Sequence, residues 1–199
     1  MSPKMFYLNR DWGEGADGLT EWLVLELAAT LCGNKPSTVL SLTDTKFMPL
    51  FTLWRQYGEE ILQDSNLSYF ILRETQKSVT VLFYRRDRLE ECIQENDHRT
   101  FLQQCGYPVR KGLDACLKVL RTRFQRTCPH EVGLLLGIPL KDVLGFMGLN
   151  QLSLTCRGMW HIYGDPECSL SAMRCFKNDR QRVEEHMRQG VAPARLLCV

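Results

Sequence analysis

The chain has 199 residues, 44% hydrophobic and 24% charged, with a formal net charge of +2. This composition excludes the core-poor, highly charged regime of disorder, and a chain of this size buries roughly 70% of its unfolded surface, enough for a core without disulfide or metal staples. The near-balanced charge gives no general attraction for nucleic acid, and no run approaches the about 18 apolar residues of a membrane span.

Residues 19–32 carry Leu19, Trp22, Leu23, Leu27 and Leu31 at helical spacing and predict a largely buried helix stopped at Gly33. After the break at Lys35-Pro36-Ser37, residues 38–42 are β-prone and 49–62 predict a second amphipathic helix. Segments 68–73 and 78–85 are rich in aromatic and β-branched residues on both faces. They predict an antiparallel hairpin in a sheet covered on two sides.

Helical patterns follow over 88–105, broken near Asn96-Asp97, and over 112–126, where Leu113, Cys116, Leu117, Leu120 and Phe124 form one stripe. Pro129 and Pro139 each open a short helix, the first closed by Gly137. Residues 159–163 predict a strand stopped by Gly164-Asp165-Pro166, and 167–189 predict a last helix. Its seam of Met173, Phe176, Arg180, Val183 and Met187 is expected to pack on the sheet. Together these elements predict a single α/β (α+β) domain over 1–199, a small mixed sheet of about four strands flanked by helices. Residues 1–16 are expected as an N-terminal extension and 191–199 as a C-terminal tail.

Nine cysteines are present without a CxxC pair, so a reducing compartment with mostly structural thiols is expected, and Cys32, Cys128 and Cys156 are the ones to suspect of chemistry. The opening residues lack the apolar run of a secretory signal, which makes the expected location cytoplasmic.

The dense chemical signal is Cys128-Pro129-His130-Glu131 at the start of an apolar helix. A helix N-terminus favours anions, so the expectation is a neutral His130 and a Cys128 thiol shifted toward thiolate, with Glu131 in reach. Thiolate, imidazole and carboxylate are ligands for a transition metal such as iron or zinc, and a thiol beside an imidazole is also a nucleophile and base pair. A structural role, in which His130 and Glu131 only lock the entry to the helix, stands beside both. His-Glu-x-x-His is absent, because Leu134 occupies the last position.

Two further segments are candidates for holding a cofactor. The loop Cys32-Gly33-Asn34-Lys35-Pro36-Ser37 offers Lys35 and Ser37 to an anion without P-loop spacing. Trp160 and Tyr163 fall on opposite strand faces and cannot line one surface together. Arg110, Lys111, Lys118, Arg121, Arg123 and Arg126 against Asp114 alone make a basic helix face, a solvated surface or a partner site.

Pro129-His130-Glu131-Val132-Gly133-Leu134-Leu135-Leu136-Gly137-Ile138-Pro139, followed by Trp160-His161-Ile162-Tyr163-Gly164, resembles the motifs of an uncharacterised bacterial family, mainly from anaerobic Firmicutes, known only as a domain of unknown function. Cys32 through Ser37, Phe83-Tyr84-Arg85 and the 101–107 segment agree in order. The chain departs from the family at Leu42 and at Asn178-Asp179, where similar proteins place cysteines. The resemblance implies an association with iron uptake and flavodoxin. The resulting expectation is a cytoplasmic binding or accessory protein of iron or redox metabolism with a Cys128, His130 and Glu131 site. The alternatives are a cysteine-nucleophile enzyme using Cys128 and His130, and a structural motif with partner binding through the basic helix.

Overall fold

A computed structural model describes residues 12–198. The central sheet contains β1 (Ser37–Thr43), β2 (Ser68–Glu74) and β3 (Ser78–Tyr84), in the order β1-β3-β2 and antiparallel throughout. β3 lies in the middle and is apolar on both faces because each face carries its own core. Val79, Val81 and Phe83 point to one side, Leu82 and Tyr84 to the other. The hairpin joining β2 to β3 closes where the Thr75 amide donates to the Ser78 carbonyl at 2.8 Å.

On the first face pack α1 (Gly15–Glu26), α2 (Ala28–Leu31) and α3 (Leu50–Leu62). Trp54 of α3 sets its ring edge-on to Phe83 at 5.2 Å and to Tyr69 at 5.3 Å. Gly58, one turn on, leaves room for that indole, since a Cβ there would stand 2.6 Å from it. The predicted 19–32 helix starts earlier, at Gly15, and is interrupted at Leu27, so only residues 1–11 of the expected N-terminal extension lie outside the described residues.

The second face carries α4 (Arg86–Gln94), α5 (Asn96–Gln104), α6 (Leu113–Phe124), α7 (Val132–Leu135) and α8 (Leu140–Phe146). The α4 to α5 break falls at Glu95, whose backbone is extended (ψ 136°). A two-stranded antiparallel ribbon, β4 (Leu154–Arg157) and β5 (His161–Tyr163), packs on α8. The expected fourth strand is therefore β5, and it pairs with β4 rather than with the main sheet, because it docks on α8 instead.

α9 (Glu167–Arg188) buries Met173, Phe176 and Val183 of the predicted seam, but packs chiefly on α2 and α1 rather than on the sheet. The sheet face it was expected to cover is already filled by α1 and α3. Arg180 accordingly donates to the Leu25 carbonyl at 2.9 Å and pairs with Glu26 at 2.8 Å. The expected C-terminal tail contains α10 (Pro193–Leu197), whose Leu196 and Leu197 are buried in the first core. Among the described residues no helix is long and apolar enough to cross a membrane.

Candidate functional site

After α6 the chain turns at Pro129, whose carbonyl accepts from the Val132 amide at 3.2 Å. His130 and Glu131 repeat the three-residue spacing, with Gly133 and Leu134 as donors at 3.1 Å. Helix α7 that follows is only four residues long. Gly133 lies close under Ile138 and Val143, both 3.3 Å from where its Cβ would be, and Gly137 (φ 78°) closes the turn as expected. Pro139 then caps α8 from outside the helix.

So short a helix supplies little of the field expected to favour thiolate at Cys128. Cys128 moves the other way: partial burial of its sulfur, then the Glu131 carboxylate, push the thiol up from its ordinary value. Glu131 itself turns inward. It is 4% exposed, pairs with Arg123 Nη1 at 2.5 Å and accepts from the Tyr107 hydroxyl at 3.0 Å. The Arg123 guanidinium, 5.1 Å from the centroid of the Tyr107 ring, also donates to the Cys105 carbonyl. Burial and the adjacent Glu131 push the Tyr107 hydroxyl up, so it remains a donor. Arg123 thus leaves the basic face of α6, and Arg121 folds toward the Phe70 ring at 5.3 Å.

Cys128 and His130 line a cleft of about 380 Å³ between the Pro129 turn, α8 and the ribbon. Its walls are apolar, with Val143, Phe146, Met159 and Trp160, and His161 stands across from the turn. Phe146 is the hinge of this arrangement, its ring 5.0 Å from the His130 imidazole and 5.8 Å from that of His161, both edge-to-face.

Asp142 holds the ribbon in place. Its side chain is fully buried, and four donors reach it: Lys141 Nζ at 2.8 Å, the Tyr163 amide at 2.9 Å, Trp160 Nε1 at 2.8 Å and Ser169 Oγ at 2.6 Å. Burial raises its carboxyl, but Lys141, Ser169, Tyr163 and Trp160 together carry it below the usual carboxylate range. One side chain therefore joins α8, the ribbon and α9. Gly145 lets the Tyr163 ring lie directly on α8, where a Cβ would stand 2.3 Å from the ring.

Of the other expected site residues, only Trp160 reaches the cleft. Tyr163 lays its ring on Gly145 of α8, outside the residues that line the cleft. Ser37 is buried and donates to the Leu135 carbonyl at 2.6 Å, tying β1 to α7. Cys32 lines a separate hollow of about 440 Å³ with Arg182, Val183 and His186. Asn34 of the same loop donates to the buried Asp179 at 2.9 Å. Among the described residues no three His, Cys, Asp or Glu side chains converge as a metal centre requires. The expected Cys128, His130 and Glu131 ligand set does not assemble, because Glu131 is committed to Arg123 and Tyr107.

Asp142, Phe146, Met159 and His161 are the cleft residues that sequence patterns did not single out. An acid next to Lys141, the two being the charged residues between Leu140 and Phe146, was the available signal for Asp142. The interior thiols behave as small hydrophobes: burial pushes Cys92 up to about 12 and Cys116 to about 11.

Lys35 sits half-buried with its Nζ 5.8 Å from the Phe176 ring centroid. Burial, opposed by the Glu26 carboxylate, lowers it to about 8. The unfolded chain titrates this amine near 10.4, so from about pH 8 to 10.4 it binds more protons than the folded chain, and stability rises with pH through that window. Lys35→Met should lose this rise and unfold at higher urea than the wild type at pH 7. Urea midpoints at pH 7, 8.5 and 10 for both proteins check it, and parallel pH profiles would refute it.

The matched family is described as "Protein of unknown function (DUF3793)", and its model covers residues 23–197. The chain belongs to this family. No curated protein and no solved structure matches the chain.

Proposed function

We propose that this DUF3793 protein is a binding protein whose cleft takes a flat, mainly apolar ligand between Trp160, Phe146 and the imidazoles of His130 and His161. The observation that carries this reading is the cleft itself, with apolar walls and a few polar groups at its edge, the usual form of a small-molecule site. Edge-to-face imidazole and phenyl rings suit an aromatic ligand, and the imidazoles supply contacts that fix its orientation.

The cysteine-nucleophile reading has less support. The Cys128 thiol is held toward its protonated form, and the carboxylate in the cleft, Asp142, already accepts from four donors and has no role left as an orienting base. A transition metal, iron or zinc, would have Cys128 and His130 as ligands without Glu131. An iron or redox context, with flavodoxin or iron-uptake components as partners, rests on the family resemblance alone, whereas a cytoplasmic location fits nine cysteines without a CxxC pair, as in a reducing compartment. On and beside α6, Arg110, Lys111, Lys118, Arg121 and Arg126 are exposed, so a partner surface there keeps the row of cations except Arg123.

Titration of the purified protein with haemin, flavin mononucleotide and menadione, followed by tryptophan fluorescence, tests the reading. At least one probe should bind, and Phe146→Ala should weaken it at least tenfold, about 1.4 kcal/mol. Failure of all three removes this ligand class. Stoichiometric iron or zinc in the protein, lost in His130→Ala, would replace it with the metal reading. Rapid alkylation of Cys128 by iodoacetamide near pH 6 would replace it with the nucleophile.

A further inference from the structure

From Val143 through Cys156 the chain carries no charged residue, in a protein that is 24% charged. This stretch is not interior. Phe146 is 52% exposed, Leu149 60%, Leu152 45% and Leu154 43%, and Met159 just beyond β4 is 65% exposed. Exposed apolar side chains concentrated in one uncharged stretch that leads into a strand mark an interaction surface rather than ordinary scatter.

The backbone agrees. Among the described residues β4 pairs with β5 alone, which leaves the outer edge of β4 open. β5 is closed on its far side, where the Tyr163 amide donates to Asp142 and the Tyr163 carbonyl accepts from Lys141 at 2.8 Å. Two strands this short are marginal alone. The register of β4 shifts between Leu154 and Cys156, and the Thr155 hydroxyl turns back to the Gly164 carbonyl at 2.5 Å. The open edge is therefore short, and side-chain packing carries more of any contact than a long ladder.

Charge selects the occupant. β4 runs from Leu154, opposite Tyr163, to Arg157, opposite His161. Asp165 and Glu167 follow Tyr163 in the chain, so they lie near the Leu154 end while Arg157 lies at the other, all three exposed. A second copy laid antiparallel along β4 brings each Arg157 to the end where its partner carries Asp165 and Glu167. It also lays the uncharged stretch on its own equivalent, the self-complementarity a two-fold interface requires.

We propose that two copies of this chain associate across a two-fold axis through the β4 edge and the 143–156 stretch. Phe146 and Met159 also line the cleft, so the partner copy covers the cleft mouth.

Sedimentation equilibrium of the full chain at about 1–100 µM, the range in which a micromolar dimer dissociates, tests this. The wild type should approach twice its 23.1 kDa chain mass. Leu149→Glu, a change at a 60% exposed position that puts a charge into the uncharged stretch the partner covers, should sediment as a monomer with an unchanged far-ultraviolet circular dichroism spectrum. Arg157→Glu, an exposed change that spares the fold, should raise the dissociation constant at least tenfold, and adding Glu167→Arg should restore it. A wild type that stays monomeric at the highest concentration overturns the proposal, as does a charge swap that fails to restore association. Mass alone is read, so failure here leaves the cleft reading standing, and loss of probe binding leaves the dimer standing.

Discussion

Asp142→Ala should destabilise the protein by about 3–5 kcal/mol, the cost of removing one member of a buried, hydrogen-bonded charge cluster. Trp160 Nε1, Ser169 Oγ, the Tyr163 amide and Lys141 all lose their acceptor at once. For a chain of this length the midpoint of thermal unfolding should fall on the order of 10 °C. Asp142→Asn keeps one acceptor oxygen and should fall between the two. A loss below about 1 kcal/mol in urea titrations would show that solvent satisfies these donors and that the ribbon is not pinned through Asp142.

The same carboxylate sets an acid limit. Its folded pKa lies below the unfolded value of about 3.9, so its stabilisation is complete above that pH and disappears as pH falls through the folded pKa. The stability gap between wild type and Asp142→Asn should therefore begin to close near pH 3.9 and be gone only below the folded pKa, where the wild-type carboxyl also becomes protonated.

Glu131→Ala should cost about 2–3 kcal/mol, since it strands the buried Tyr107 hydroxyl and frees a guanidinium that retains the Cys105 carbonyl and partial solvent contact. Glu131→Gln, which keeps an acceptor for Tyr107, should recover roughly 1 kcal/mol of that. Neither change should alter probe binding in the cleft, because Glu131 faces the opposite way. Chemical denaturation paired with the fluorescence titration separates the two effects. Weakened binding in Glu131→Gln at unchanged stability would contradict the assigned direction of this side chain.

Much of the fold could be read from the residues, because long periodic segments specify themselves. β3 has Val79, Val81 and Phe83 alternating with Leu82 and Tyr84, and a strand apolar on both faces is stable only between two cores. β4 left no such trace. Leu154 and Thr155 are exposed, the register shifts within four residues, and an exposed short strand has no alternation to report. The seam of α9 was visible, but periodicity names a buried face and not what buries it.

At the site, closeness in sequence misled for a geometric reason. Around Pro129 the turn has three-residue spacing, so successive side chains diverge by about 120°. His130 points into the cleft while its neighbour Glu131 points into the protein. Asp142 and His161 come to the same place from elements distant in the chain, and only the docking of the ribbon on α8 unites them.

That docking gives position 145 a reach beyond its own neighbours. Because the Tyr163 ring rests on bare backbone at Gly145, any added methyl there would lift β5 off its helix. β5 begins at His161 and follows directly on Trp160, so the gap those rings leave for a guest is gauged by how closely β5 sits on α8. The smallest residue in the helix thereby fixes the calibre of an opening it never borders.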